Sequence, residues 1–479
     1  MRSKLLGQLV SDCPHSNLVV KGLSDDSRFV SSGDVFIAVK GANADGHQFV
    51  QDAKGKGAVA ILTERPISLD GLPVIIVPEL REKRGSIAAK FFEYPSSEII
   101  CCGVTGTNGK TSIAHYISAL ASELKVSSRY LGTLGYGVLG KLKPSFLTTP
   151  GPVIIQRIIR DFVDEGAAIA AIEVSSHALD QGRVNEVDFD LAIFSNLSHD
   201  HLDYHQNFEA YGEAKARLFK GETLSTAIIN TDDKFSKNLM EILDPRVDCI
   251  TYGQKGEVRW SDLNFLSEGI IGKWTTPWGC ADFQLAVGGE FSVANMAAAI
   301  STLCSQGHNF EEVIYAASRV SNVPGRMEFF RSEGSPTVVV DYAHTPDALE
   351  KVLVAARKHT KGRLGCLLGC GGDRDTRKRP IMAAIAERIA DDIWFTTDNS
   401  RSEDPWAIID NMCCGLIDKK KVNRFLDRSE AIRSAIKSMK EIDLLVVAGR
   451  GHETHQDISG ELVPFDDREY VSQVIEEVN

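Results

Sequence analysis

Nine consecutive residues, Gly103 to Thr111, read G-V-T-G-T-N-G-K-T. The apolar run 99–104 leads into them, and a helical pattern over 112–124 leaves them. Strand, glycine loop and helix in that order is the layout that holds a nucleotide triphosphate. Glycines let backbone N–H groups turn toward phosphates, and the helix N-terminus adds partial positive charge. Gly106, Thr107, Asn108, Gly109, Lys110, Thr111 and Ser112 form the candidate cradle. Lys110 is placed to reach the outer phosphates, and the Thr111 hydroxyl suits a magnesium ion. Counted back from Gly109-Lys110, the first glycine falls one residue earlier than in the general phosphate-loop pattern. An ordinary strand-to-helix turn does not need three glycines and a Lys-Thr pair at the helix mouth.

Other chemistry-bearing residues stand at the ends of further apolar runs. The run 167–172 ends at Glu173, followed by Ser175-Ser176-His177. A carboxylate at the C-terminal end of a parallel strand points into the crevice where ligands sit, and there it can hold magnesium beside a triphosphate. The run 191–194 ends in S-N-L-S-H-D-H-L-D-Y-H, residues 195–205. Its histidines and aspartates permit two readings. One is a zinc site, although no cysteine or H-E-x-x-H accompanies it; the other is completion of an oxygen-rich magnesium site. A helix over 209–220 carries Lys215, which by its position alone is a solvated face residue.

The C-terminal third repeats the strand-end theme. Apolar runs at 337–340, 364–368, 393–396 and 444–448 end in D-Y-A-H-T-P, G-C-G-G-D-R, D-N-S-R and G-R-G-H-E. Arg374 and Arg401 suit bidentate grip on carboxylates, while Asp398, Asn399 and Glu453 suit an amine. A zwitterion, an amino acid, satisfies both sets. This C-terminal third contains no G-x-G-x-x-G, so a dinucleotide fold is not indicated for it.

The elements that must position these residues follow from the patterning. The 479 residues suggest about three domains. Residues 1–98 read as a small α/β domain, with strands at 35–39, 58–62 and 74–77 and a helix between 49 and 57. Residues 99–325 alternate apolar runs with helical patterns, the mark of a parallel sheet covered by helices, with a β insertion at 247–285 and a helix from 288. Residues 326–479 read as an open doubly wound sheet with helices at 378–389 and 429–439. The boundaries rest on the turn-formers Tyr94-Pro95-Ser96-Ser97 and Val323-Pro324-Gly325. The net charge of −12 argues against nucleic acid or an anionic membrane as partner. Basic runs such as Arg377-Lys378-Arg379 and Lys419-Lys420-Lys421 are mostly solvated loops, and of these two only the first draws interest. Ten cysteines without metal spacing read as reduced thiols of a cytoplasmic protein, and no run, including residues 1–13, reads as a leader or membrane span.

Taken together, G-T-N-G-K-T at 106–111, E-V-S-S-H at 173–177, N-L-S-H-D-H-L-D-Y-H at 196–205, D-Y-A-H-T-P at 341–346 and G-C-G-G-D-R-D at 369–375 resemble the Mur ligases in type and order. The resemblance spans nearly the whole chain. It implies a three-domain α/β fold: a UDP-sugar-binding N-terminal domain, a central phosphate-loop ATPase domain and a C-terminal Rossmann-like domain. It implies an ATP-dependent ligase that activates the D-glutamyl carboxylate of UDP-N-acetylmuramoyl-L-alanyl-D-glutamate as an acyl phosphate and joins it to an amino acid. By the same resemblance Lys110, Glu173, His201 and Lys215 are catalytic. Thr111 and Glu173 hold one magnesium, and His201 with a carbamylated Lys215 serves a second. Ser27, Thr148, Thr149, Ser175, Gln181 and Arg183 face the nucleotide sugar. Asn295, Arg326, Asp341 and His344 lie at the adenine and ribose. Arg374, Asp398, Asn399, Arg401, Gly449 and Glu453 form the amino-acid site. Members that add meso-diaminopimelate carry D-N-P-R; here Ser400 replaces the Pro and Arg401 is kept, which favours diaminopimelate over lysine. A second departure is His199, where Arg is common in those members. A monomer is the expected state. The competing readings are a lysine-adding or folate-glutamylating relative, a nucleotide-driven switch, and a scaffold with a decayed site. No guanine-reading motif supports a switch.

Overall fold

The computed structural model describes residues 3–11, 13–41 and 44–478, with the side chains of Asp203 and Val478 excepted. The described residues form two compact units, one up to Thr251 and one from Tyr252 onward.

The first unit holds two parallel sheets. The smaller runs Gly22–Ser24, Asp34–Ala38, Ala60–Thr63 and Val74–Ile76 in chain order, all parallel. Alternation along Asp34–Ala38 sends Val35 and Ile37 to one face and Phe36 and Ala38 to the other. The first face packs on helix Leu80–Phe92, which the sequence reading does not single out, through Leu80, Ile87, Ala88 and Phe91. The second packs on Val50 and Ala53 of helix Val50–Gly55. Part of the polar loop between Gly41 and His47, at Ala42 and Asn43, lies outside the described residues.

The larger sheet has seven strands. Its parallel core is Thr226–Asn230, Leu191–Phe194, Ile100–Thr105, Ile169–Glu173 and Ser128–Gly132, in that spatial order. Gly135–Gly137 folds back antiparallel on Ser128–Gly132. These strands are buried on both faces, which is why they read as continuous apolar runs. Strand Ile100–Thr105 has later strands on both sides, so the winding reverses there and a crevice opens beyond its C-terminal end. Strand Asp248–Tyr252, predicted as part of the β insertion, instead lies beside Thr226–Asn230 at the edge of this sheet.

Helix Lys110–Glu123 covers the sheet and buries His115, whose Nδ1 finds no partner among the described residues. Burial lowers the imidazole from 6.5 to about 4. The unfolded chain therefore takes up this proton first on acidification. Stability is untouched above pH 6.5, falls between 6.5 and about 4, and levels off below. Urea unfolding at neutral pH and near pH 4.5 measures the effect: His115→Leu should lose about 2 kcal/mol less than wild type on acidification.

The second unit begins with an antiparallel meander, Arg259–Leu266, Gly269–Thr276 and Gly279–Leu285, followed by helices Glu290–Ser305 and Phe310–Arg319. Its main sheet has the order Glu328–Phe330, Thr337–Asp341, Leu444–Ala448, Leu364–Leu368, Asp392–Phe395, Val422–Arg424. The first strand is antiparallel to its neighbour and the rest are parallel. Val339, Cys366 and Leu368 face helices Pro346–His359, Lys378–Ile389 and Pro405–Cys413. Val338, Val340 and Leu367 face helices Arg428–Ser438 and Asp467–Val478. Helices on both faces make it doubly wound. A short hairpin, His455–Ile458 with Glu461–Pro464, stands beyond the strand Leu444–Ala448. Among the described residues no helix is long and apolar enough to cross a membrane.

Candidate active site

In the first unit, strand Ile100–Thr105 delivers Gly106 at φ +145°, where a Cβ would come within 1.9 Å of the Ser195 hydroxyl oxygen. Gly109 caps the following helix at φ +89°. These two glycines are required by backbone conformation, and the first also by space. The loop is braced from strand Leu191–Phe194. Thr107 N–H donates to Asn196 O at 2.8 Å, Asn108 N–H donates to Asn196 Oδ1 at 3.0 Å, and Asn196 Nδ2 donates back to Asn108 O at 3.0 Å. Two loop N–H groups expected to turn toward phosphates are thus bonded to Asn196. Lys110 Nζ donates to the carbonyls of Gly106 and Thr107, both at 2.9 Å.

Glu173 ends its strand fully buried. Its carboxylate accepts from Thr111 Oγ1 at 3.0 Å, Thr133 N–H at 2.9 Å and Thr133 Oγ1 at 3.2 Å, and from the Tyr130 hydroxyl. A Cβ at Gly132 would stand 2.1 Å from Glu173 Oε1, so this glycine makes room for the carboxylate. Tyr130 and Thr133 thus join the site beyond the residues the motifs indicate; the glycine-rich turn at 132–137, which contains Thr133 and follows Tyr130, is their only signal in the sequence.

Lys215 sits in helix Phe208–Ala216 with 1% of its surface exposed. Its Nζ donates to Gly106 O at 2.8 Å and lies 4.4 Å from the Tyr211 ring centre. Burial, with Lys110 nearby, holds this amine well below the ordinary lysine range. It is therefore not the solvated helix residue its position suggests. His201, at φ +52°, stands 3.4 Å from Asp200 and packs its ring against His177 at 4.8 Å and Tyr211 at 6.3 Å. His205 is buried, with Nε2 3.0 Å from Ser176 Oγ.

One carboxylate and one hydroxyl fit a hard cation that takes its other ligands from phosphate and water, as magnesium does. Among the described residues no three His, Cys, Asp or Glu side chains gather to hold a metal by themselves.

The nucleotide-sugar candidates form a linked chain. Thr148 Oγ1 lies 3.1 Å from Thr133 Oγ1. Thr149 Oγ1 donates to Glu173 O at 2.7 Å and accepts from Ser175 N–H at 3.0 Å. Arg183 donates to Thr149 O at 2.9 Å and to Gln181 Oε1 at 3.0 Å. Ser27 is buried, its carbonyl accepting from Lys56 Nζ at 2.9 Å, and among the described residues no hydrogen bond joins it to this group.

The second unit carries the remaining candidates. The Arg326 guanidinium lies 4.5 Å over the Tyr342 ring. Asp341 is buried and accepts from Met327 N–H at 2.8 Å and Ala343 N–H at 2.7 Å; burial raises its carboxyl, and Arg326 opposes that rise. His344 Nδ1 lies 2.9 Å from Tyr342 O, and Lys378 Nζ donates to His344 O at 3.0 Å. Asn295 is buried within helix Glu290–Ser305.

At the sheet edge, Asn399 Nδ2 donates to Glu453 Oε2 at 2.8 Å and Asn399 Oδ1 accepts from Asp457 N–H at 2.9 Å. Burial raises the Glu453 carboxyl. Gly449, at φ +114°, leaves the space that a Cβ would fill 2.8 Å from Asp398 Oδ2. Arg401, at φ +49°, donates from Nη1 to Gly372 O at 2.7 Å. Its backbone is pinned by the hairpin: Arg401 N–H donates to Asp457 O at 3.0 Å, and Ser459 N–H donates to Arg401 O at 2.8 Å. Ser400 is buried in a formed turn, its carbonyl accepting from Glu403 N–H at 3.0 Å. Arg379, the last residue of the first basic run, is buried against Glu403 at 2.8 Å and belongs to the loop scaffold. Arg374 is exposed on the neighbouring loop. The hairpin's part in holding Arg401 has no sequence signal.

Comparison with known proteins gives family matches along the chain. Residues 19–90 match the Mur ligase family catalytic domain, 104–303 the Mur ligase middle domain, and 325–451 the Mur ligase glutamate ligase domain. A UDP-N-acetylmuramoyl-L-alanyl-D-glutamate–2,6-diaminopimelate ligase of Coxiella burnetii is 40% identical over 99% of this chain and 100% of its own length. The ligase of that name from Chromobacterium violaceum is 43% identical over 94% of this chain and 93% of its own. A solved structure of a UDP-N-acetylmuramoyl-L-alanyl-D-glutamate–2,6-diaminopimelate ligase superposes with a TM-score of 0.73 at 32% identity, over 99% of both chains.

Proposed function

The chain belongs to the Mur ligase family and, we propose, acts as an ATP-dependent ligase that joins meso-diaminopimelate to the D-glutamyl side-chain carboxylate of UDP-N-acetylmuramoyl-L-alanyl-D-glutamate. Residues 1–98 and the Thr148–Arg183 group take the nucleotide sugar, residues 99–325 take ATP, and residues 326–479 take the amino acid. The observation that carries the amine assignment is Arg401, pinned by its backbone beside Asp398, Asn399 and Glu453.

The reaction has two steps. A carboxylate oxygen of the D-glutamyl unit attacks the γ-phosphorus of ATP, the bond to ADP breaks, and an acyl phosphate forms. An amine nitrogen then attacks the acyl carbon, phosphate leaves with the carbon–oxygen electron pair, and the amine loses a proton as the amide forms. Lys110 offsets negative charge on the transferring phosphoryl. Thr111 and Glu173 would hold a magnesium ion, and His201 with Lys215 would serve a second if Lys215 is carbamylated; magnesium supplies further charge neutralisation there. Burial lowers the Lys215 amine and so favours its neutral form, the form that reacts with carbon dioxide to give an anionic carbamate. Glu453, Asn399 and Asp398 receive the ammonium end of the amino acid, and Arg401 receives its distal carboxylate. Arg326, Asp341, His344 and Asn295 hold adenine and ribose. This reading places the protein in the cytoplasm, as a monomer, in the synthesis of peptidoglycan precursor.

The test is phosphate release by the purified protein with ATP, magnesium and UDP-N-acetylmuramoyl-L-alanyl-D-glutamate. Rapid turnover is expected with meso-diaminopimelate and only weak turnover with L-lysine. Turnover with lysine alone would overturn the amine assignment, and turnover with neither would overturn the ligase reading.

A further inference from the structure

A buried charge cluster lies behind the candidate amine site. Arg428, at the start of helix Arg428–Ser438, is fully buried and forks onto Asp467, with Nε and Nη2 each 2.7 Å from a carboxylate oxygen. The same guanidinium donates to Thr397 O and Ala448 O, both at 3.1 Å. Those carbonyls immediately precede Asp398 and Gly449. Arg450 is also fully buried; Nη2 donates to His455 O at 2.7 Å and Phe465 O at 3.1 Å. Its Nε and Nη1 make no hydrogen bond among the described residues; they lie 3.8 Å from Glu453 and 3.7 Å from Asp467.

Arg428 is matched by Asp467, which leaves the Arg450 charge out of reach of water with Glu453, at 3.8 Å, as its other carboxylate. Apolar side chains would hold the same loops without that desolvation cost, so stability alone does not account for the arrangement. Besides Asp467, the carboxylates that feel both guanidiniums are Asp398 and Glu453. We propose that Arg450, with Arg428 and Asp467, is a positioning cluster that fixes the loops carrying Asp398 and Glu453. Its positive charge lets these two carboxylates stand side by side to receive the ammonium of the incoming amino acid. This rests on the ligase reading above.

The test uses the full-length enzyme with Arg450 changed to Met or Lys. R450M should raise the KM for meso-diaminopimelate at least about tenfold, with the KM values for ATP and the UDP-dipeptide substrate essentially unchanged. The rise should steepen as pH falls from 8 to 6.5. Glu453 is raised by burial and by Asp398, and opposed by Asn399, Arg450 and Arg401. Arg428 and Tyr342 also face it. With Arg450 neutralised, Glu453 takes a proton at higher pH and stops holding the ammonium. R450K should restore the KM and flatten the pH profile. R450Q, neutral but polar, carries the R450M expectation where the apolar variant does not fold. An unchanged amino-acid KM in a folded neutral variant, or an equal rise in all three KM values, overturns the cluster's role while leaving the ligase reading standing. Absence of amino-acid-dependent phosphate release in wild type overturns both.

Discussion

Replacing Lys110 by Met should lower phosphate release about a thousandfold, the scale on which single preorganised charges act in phosphoryl and acyl transfer. Methionine keeps most of the side chain's length and its apolar stem, so packing at the start of helix Lys110–Glu123 is preserved. What is lost is the ammonium that donates to the Gly106 and Thr107 carbonyls at 2.9 Å. Those bonds hold it over the phosphate loop before any ligand arrives, so little reorganisation is left for the reaction itself. A second readout follows from the neighbouring amine. Lys110 is one cause of the low basicity of Lys215, and its removal lets the Lys215 amine take a proton more readily. The variant should therefore carry less carbamate at Lys215 at a given carbon dioxide concentration, as mass spectrometry under non-acidic conditions would read. Turnover within tenfold of wild type, with the circular dichroism spectrum unchanged, would remove Lys110 from the reaction.

The parts of this site that the sequence exposes are those carried by strand ends. Parallel strands covered on both faces are continuous apolar runs, and the first polar residue after each run marks the crevice. Glu173, Asp341 and the Asp398–Arg401 loop stand out for that reason. Lys215 is different. Its helix looks solvated because Glu209, Glu213 and Arg217 surround it in sequence, and only the packing of that helix on the phosphate loop buries the amine. Without the family resemblance nothing in its spacing would have marked it. Tyr130 reads as core, and it is core, yet its hydroxyl is aimed at Glu173. The pairing of Arg428 with Asp467 crosses 39 residues and depends on two helices meeting on one face of the sheet. Helix Leu80–Phe92 escaped because its apolar positions lie between charged ones, and strand Asp248–Tyr252 because its partner is an edge strand rather than the adjacent meander. Local pattern fixes which residues end an element, whereas long-range pairing decides which of them face one another.

Arg401→Gln should lower kcat/KM for meso-diaminopimelate by about three to four orders of magnitude, the size expected when a site built to bond a polar group loses its partner. The structure makes Arg401 unusually fixed for a loop residue. Its φ of +49° is a conformation that L residues adopt sparingly, and two hairpin bonds, to Asp457 O and from Ser459 N–H, hold it there. One guanidinium nitrogen is committed to Gly372 O at 2.7 Å, which orients the planar fork. A lysine at this position has neither the fork nor that orientation, so Arg401→Lys should recover little of the loss. Glutamine keeps the backbone bonds and part of the stem, so the loop itself survives and ATP binding is unaffected. The selective character of the loss is what identifies the role. Lysine lacks the distal carboxylate, so its weak turnover has no contact with Arg401 to lose, and the preference for diaminopimelate should shrink by nearly the full factor. Equal losses for the two amino acids would mean that Arg401 shapes the loop rather than choosing the substrate. In that case the discrimination would have to come from Arg374, the other arginine beside this edge.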